Sequence, residues 1–135
     1  MKKIHIMFRR RKIGFTLTEL LIVVIIVGIL ATLALPMLVK TLEKAKLGEA
    51  ASNLNLIRTG QKIYFLEYST FCPNLTDLNI ENPNNDISRY FDYTIQSSSS
   101  ADFTARAQRR ATAPSPYSTY LYDIIKDGKV TSNGP

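Results

Sequence analysis

The sequence predicts an α+β chain: a long N-terminal α-helix, apolar in its first half and amphipathic in its second, followed by a small antiparallel β-sheet. Three observations point there. No residue from Leu20 to Val39 is charged. Beyond that run, apolar residues recur every three or four positions as far as Tyr68, the period of one helix face. From Phe91 the period becomes two, as in strands with one buried face.

The 135 residues suffice for one small domain plus an anchor. The net charge of +6 is unevenly placed. Six of the seventeen basic residues, Lys2, Lys3, Arg9, Arg10, Arg11 and Lys12, precede the apolar run, and the eleven that follow equal the eleven acidic residues. A nucleic-acid reader carries its positive charge on a folded face, so DNA binding is not expected. Basic residues ahead of an apolar run instead hold that end on the cytoplasmic side of a membrane. The single cysteine, Cys72, excludes an internal disulfide and reads as an inert, partly buried side chain. The single histidine, His5, lies in the basic head, so the main domain has no His-based metal cluster and no Ser-His or Cys-His pair. No Gly-rich phosphate loop occurs. The sequence therefore predicts no enzyme, no cofactor and no metal site.

Twenty helical residues span about 30 Å, the thickness of a bilayer's hydrocarbon core. A cleavable secretory signal has a shorter apolar region of about 7–15 residues and ends in an A-x-A-like site. Ala31 and Ala34 lack that spacing, and the run continues into Pro36, Met37, Leu38 and Val39. A membrane span results, and a plain signal anchor remains open on these residues.

Glu19 sits just inside the edge of this run, and three readings of it stand. It closes a capping box with Thr16, in the pattern Thr-x-x-Glu. It is a tolerated carboxylate near the lipid headgroups. Or the chain is cut before Phe15, and the new amine, with a pKa of about 8, pairs with the carboxylate, at about 4.3. An unpaired acid in hydrocarbon costs on the order of a few kcal/mol. A partner amine would remove that penalty only at the correct stagger of packed helices, so the acid would set register.

The stretch KIGFTLTELLIVVIIVGILATLALPMLV, with its basic leader ending in Gly14, then Phe15, then Glu19, then about twenty apolar residues, resembles the N-terminal signal of type IV pilins and type II secretion pseudopilins. The resemblance covers residues 9–60. It implies a pilin-like α+β fold and a membrane prepilin peptidase that cuts between Gly14 and Phe15 and methylates the Phe15 amine. It implies that Glu19 pairs with that amine in its own subunit or a neighbour, and that the helix can unwind in a filament between Gly28 and Pro36. Pro36 removes a backbone donor and glycine is a poor helix former, which agrees with that weakness.

The helix is expected to continue from Lys40 to Tyr68 on a stripe of Leu47, Ala50, Leu54, Ile57, Tyr64 and Tyr68, with Gln61 in the intervening slot. Lys40, Glu43, Lys44, Glu49, Arg58, Lys62 and Glu67 mark wetter faces, and Glu43 with Lys46 forms a weak pair worth a few tenths of a kcal/mol. Counted from Phe15 the helix reaches about 54 residues, or roughly 80 Å. The small domain that follows cannot cover it, so its first half needs lipid or other helices. Tyr64, Phe65, Tyr68 and Phe71 read as packing between helix and sheet. Residues 74–85 read as a loop with one short turn of helix. Arg89–Gln96 and Asp102–Arg109 read as an antiparallel hairpin joined by Ser97–Ser100, with Arg106, Arg109 and Arg110 on a solvated face. A third strand covers Tyr120–Ile125, Asp127-Gly128 makes a tight turn before Lys129-Val130, and Thr131–Pro135 is a polar tail. Many pilins close this region with a disulfide loop, which one cysteine cannot form; pseudopilins and small pilins remain. Asp123 and Asp127 are too few for the calcium site of some pseudopilins.

The expected organisation is a removed leader (1–14), a transmembrane and filament-core helix (15–39), its amphipathic continuation (40–68), a connecting loop (69–88) and a sheet head (89–135). The expected role is a subunit of a type IV pilus-like filament, with a type II secretion pseudopilin and a membrane-anchored binding domain that does not polymerise as alternatives. The expected partners are the prepilin peptidase, identical and related pilin subunits, the inner-membrane assembly machinery and, before assembly, the lipid bilayer. The expected location is the bacterial inner membrane, single-pass, N-terminus cytoplasmic and head outside, then a pilus or pseudopilus.

Overall fold

The computed structural model describes residues 14–134. The basic leader residues, His5 and Pro135 lie outside the described residues. The chain divides into two compact units, Met1–Val39 and Lys40–Pro135. Helix α1, Leu17–Tyr68, contributes to both.

In the first unit α1 is apolar on every side. Each residue from 14 to 39 is exposed in the isolated chain, and the helix runs through Pro36 without a break. A helix apolar all round requires lipid or protein around it. This is a helix long and apolar enough to cross a membrane.

In the second unit the remaining turns of α1 pack on a four-stranded antiparallel meander of order β1-β2-β3-β4. The strands are β1 (Phe91–Ser98), β2 (Phe103–Arg109), β3 (Leu121–Ile125) and β4 (Val130–Ser132). This long helix with an antiparallel sheet is the α+β class that the sequence predicts. Phe91 faces Arg109 and Ile95 faces Ala105 across the first pair, and the register slips between Ile95 and Ser97. Strand β4 corrects the expected polar tail: Thr131 pairs with Asp123 and Ser132 with Tyr122. All three of its residues are exposed, so no buried alternation marks it in the sequence. The turn before it needs Gly128, at φ +81°, where a Cβ would lie 2.9 Å from the Arg58 guanidinium. The loop after α1 holds two 3-10 turns, Leu75–Asp77 and Pro83–Asn85, where one was expected. In the second, the Asn82 side chain accepts from the Asn84 amide at 2.9 Å, a local bond that lets an Asn-Pro-Asn segment curl.

Ala50, Leu54 and Ile57 on α1 meet Phe91, Tyr93, Phe103, Ala105, Ala107 and Ile124 on the sheet. Each large apolar side chain here contributes about 1.5–3 kcal/mol by leaving water. The aromatic junction packs as expected, with Phe65 over Phe71 at 4.7 Å and Phe71 against Phe103 at 5.1 Å.

Four polar side chains take roles that the sequence pattern does not show. Gln61 is fully buried: its Nε2 donates to the Cys72 carbonyl at 2.8 Å, and its Oε1 accepts from the Cys72 amide at 2.7 Å. One side chain thus satisfies both backbone groups where the chain folds back, and Cys72 is completely rather than partly buried. Glu49 is not simply a solvated acid, since its carboxylate accepts from the Tyr90 amide and the Tyr93 hydroxyl. Burial pushes the Tyr93 phenol pKa up. Glu43 and Arg109, read as a wet helix face and a solvated strand face, are both buried and form a two-pronged ion pair at 3.0 and 3.3 Å. Arg109 also donates to the Tyr90 carbonyl at 2.7 Å, and Lys46 reaches Glu43 at 2.7 Å. The Arg109 hydrogen bonds hold the Glu43 carboxyl below its usual range against the opposing effect of burial, with Lys46 helping. Arg106 is paired too, with Asp123 at 2.7 Å, which engages one of the two acids weighed for calcium.

Candidate functional site

The site begins at Gly14, Phe15 and Thr16, which have no regular structure and are fully exposed, Phe15 at 81%. A peptide bond in such a segment can enter a protease cleft without unfolding anything. Helix α1 starts immediately after, and Thr16 and Glu19 close its first turn. The Thr16 amide and hydroxyl donate to Glu19 Oε2 at 2.8 and 2.9 Å, and the Glu19 amide donates to the Thr16 hydroxyl at 3.2 Å. This is a reciprocal capping box, and it puts a negative charge where the helix dipole favours one. Glu19 Oε1 has no hydrogen-bond donor among the described residues. Among the described residues the carboxylate is therefore half engaged, through Oε2 alone.

Gly28 and Pro36 lie farther along, about 13 and 26 Å from Glu19 by helical rise. Neither touches the capping box. A Cβ at Gly28 would meet nothing within 4 Å, so no close approach inside the chain requires glycine there. Pro36 is helical, but it lacks the amide that would bond the Thr32 carbonyl four residues back. The Thr32 hydroxyl bonds the Ile29 carbonyl at 2.7 Å. The segment between Gly28 and Pro36 is helical in the single chain.

Residues 9–35 match the prokaryotic N-terminal methylation motif. The chain is 48% identical over 67 residues to the type IV major pilin protein PilA of Myxococcus xanthus (strain DK1622), covering 47% of this chain and 30% of that protein. It is 37% identical over 65 residues to the type II secretion system core protein G of Aeromonas hydrophila, covering 48% and 46%. Over this N-terminal stretch the chain is similar to type IV pilins and type II secretion pseudopilins. The matched stretch spans less than half the length of either relative. A solved structure, the Neisseria meningitidis non-core minor pilin PilV, superposes with a TM-score of 0.54 at 18% identity, covering 70% of this chain and 90% of that one. At that identity the likeness concerns the fold, and it is the pilin fold. The sequence relatives are a pilin and a secretion-system core protein, not enzymes.

The capping partner Thr16 was legible from its spacing to Glu19. A recess on the head unit, part polar and part apolar, was not. It draws on α1 around Arg58–Leu66 and on Lys126 and Asp127, sixty or more positions later, and no local pattern joins such distant segments.

Proposed function

We propose that this chain is a structural subunit of a type IV pilus-like filament, made as a prepilin, cut between Gly14 and Phe15, methylated on the Phe15 amine, and polymerised through its N-terminal helix. One observation carries the reading: the methylation motif ends in a helix exposed on all sides whose first turn holds a half-engaged carboxylate. A new ammonium at Phe15 would lie one helical turn from Glu19 in the same chain, and within reach of a neighbour's Glu19 when apolar helices pack in stagger. Residues 1–14 are then the cytoplasmic leader, 15–39 the membrane and filament-core helix, 40–68 its amphipathic continuation, 69–88 the loop and 89–135 the exported head. The lipid bilayer surrounds the helix before assembly, and inner-membrane assembly machinery extracts it.

The similarity to core protein G favours a second reading, a pseudopilin of a type II secretion system. Filaments sheared from cells and analysed by N-terminal sequencing and intact mass test both the processing and the polymer. The expected chain begins at Phe15 and is heavier by one methyl group. An intact Met1 in assembled material overturns the processing. Loss of protein export on deletion of the gene, with no surface filament, selects the pseudopilin.

A further inference from the structure

The head unit carries two unlike surfaces on opposite sides of α1. On one side is an open recess of about 540 Å³, walled by Phe65, Leu66 and Phe71 and rimmed by Arg58, Lys62 and Lys126. Leu66 is 86% exposed. None of the three cations belongs to an ion pair among the described residues. The Arg58 and Lys126 side chains donate to backbone carbonyls, of Lys126 and Ala101, while the Lys126 amide donates to the Asp102 carboxylate. The recess holds one carboxylate, Asp127. On the other side a second recess, of about 430 Å³, carries Glu81 and Asp86 and no cation. Ile87 follows Asp86 at the tip of a turn closed by the Arg89 amide on the Asp86 carbonyl, and it is 90% exposed. Arg89 offsets part of the Asp86 charge, but its own ion-pair partner is Asp92. Glu81 has no ion-pair partner among the described residues. Asn53 and Leu56 border the acidic recess while Arg58 and Lys62 border the basic one. Nine residues separate Asn53 from Lys62, about two and a half helical turns, which sets them on opposite faces of α1.

We infer that a second copy of this chain docks head to tail: Ile87 of one copy enters the Phe65–Leu66–Phe71 recess of the next, with Glu81 and Asp86 against Arg58, Lys62 and Lys126. An apolar knob beside acids fits an apolar recess beside bases, and unpaired charges on both sides gain partners on contact. The two surfaces differ and lie on opposite faces. The contact is therefore heterologous: it does not close a twofold dimer, and in a filament, where the rotation between copies does not close a ring, it propagates as an open array. This inference rests on the filament reading and adds the head surfaces that carry it and their polarity.

The test uses the full-length chain in cells with two cysteines, Ile87→Cys and Leu66→Cys, at positions exposed enough to leave the fold intact. Oxidation of assembled material is expected to give a ladder of trimers and higher oligomers. Each single variant alone is expected to give none, and a mixture of the two singles dimers only. Filaments without a ladder overturn this contact and leave the filament reading standing. Cross-linked dimers from Ile87→Cys alone mean that the face pairs with itself and also overturn it. Absence of both filaments and cross-links overturns contact and filament together. A charge exchange adds an independent readout. Lys62→Glu or Glu81→Lys alone is expected to cut filament yield about tenfold, and the double variant to return it to within about twofold. A double variant as poor as either single overturns the pairing.

Discussion

Replacement of Arg109 by alanine is expected to cost the head about 3–5 kcal/mol, the largest loss from any single polar side chain in it. The change leaves Glu43 buried, with its carboxylate served only by Lys46, and removes the donor to the Tyr90 carbonyl. Exchange of the pair for apolar residues of similar volume, Glu43→Leu with Arg109→Met, is expected to recover most of the loss, because a buried ion pair barely outperforms the hydrophobic contact that could replace it. Denaturant unfolding of the full-length protein in detergent, followed by tyrosine absorbance and fluorescence, measures both. The same pair makes stability pH-dependent. Folding lowers the Glu43 pKa, so in acid the folded chain binds fewer protons than the unfolded one. The contribution is complete above the ordinary carboxylate value of about 4.3 and is lost as pH falls through the lowered value. Stability that is flat from pH 6 to pH 2 (roughly the span over which carboxylates titrate) would remove Glu43 from this role.

The other large effect is expected at Glu19. Glutamine there keeps the capping geometry, since either Glu or Gln closes a capping box, but carries no charge. Glu19→Gln therefore separates the two roles of the side chain. On the filament reading, sheared filaments fall by about tenfold or more, because each subunit loses a charge pair worth a few kcal/mol in an apolar setting. The membrane-inserted protein persists at its normal level, as an immunoblot of membranes would show. Normal filaments in normal number would mean that the hydrogen bonds to Thr16 are the whole purpose of the residue. Glu19→Ala also removes the side chain's half of the capping box while the Thr16 hydroxyl still accepts from the amide at position 19, so its excess over Gln measures the hydrogen bonds from Thr16 to the side chain.

The fold class was legible because its main signals are local. An uncharged run of twenty residues, a stripe at three and four, and alternation at two each declare themselves within a few turns of chain. What escaped was polar and long-range. Glu43 lies four positions before Leu47, so the apolar stripe extended backward runs straight into it, and a charge on that face had to be either misplaced or paired. Arg109 shares the parity of Phe103, Ala105 and Ala107, the inward side of β2, whereas Arg106 lies on the other side. Grouping the three arginines by proximity hid that difference. Neither residue announces its partner 66 positions away. Gln61 fills the intervening slot of the stripe, and its use as a double clamp on Cys72 depends on where the chain folds back after Ser69. Strand β4 is too short and too polar for periodicity to detect, and pairing with β3 alone defines it. At the N-terminus, spacing revealed the Thr16–Glu19 bond because its partners lie three residues apart.

Cys72 is the chain's single thiol and has no solvent exposure; its sulfhydryl leans on the Asn74 carbonyl at 3.1 Å. A maleimide dye added to the native protein therefore finds nothing to modify until Gln61 lets go of the segment above it. Engineered labels elsewhere on the surface start from a silent background, and the slow uptake of dye by the unaltered chain becomes a clock for transient opening of the head.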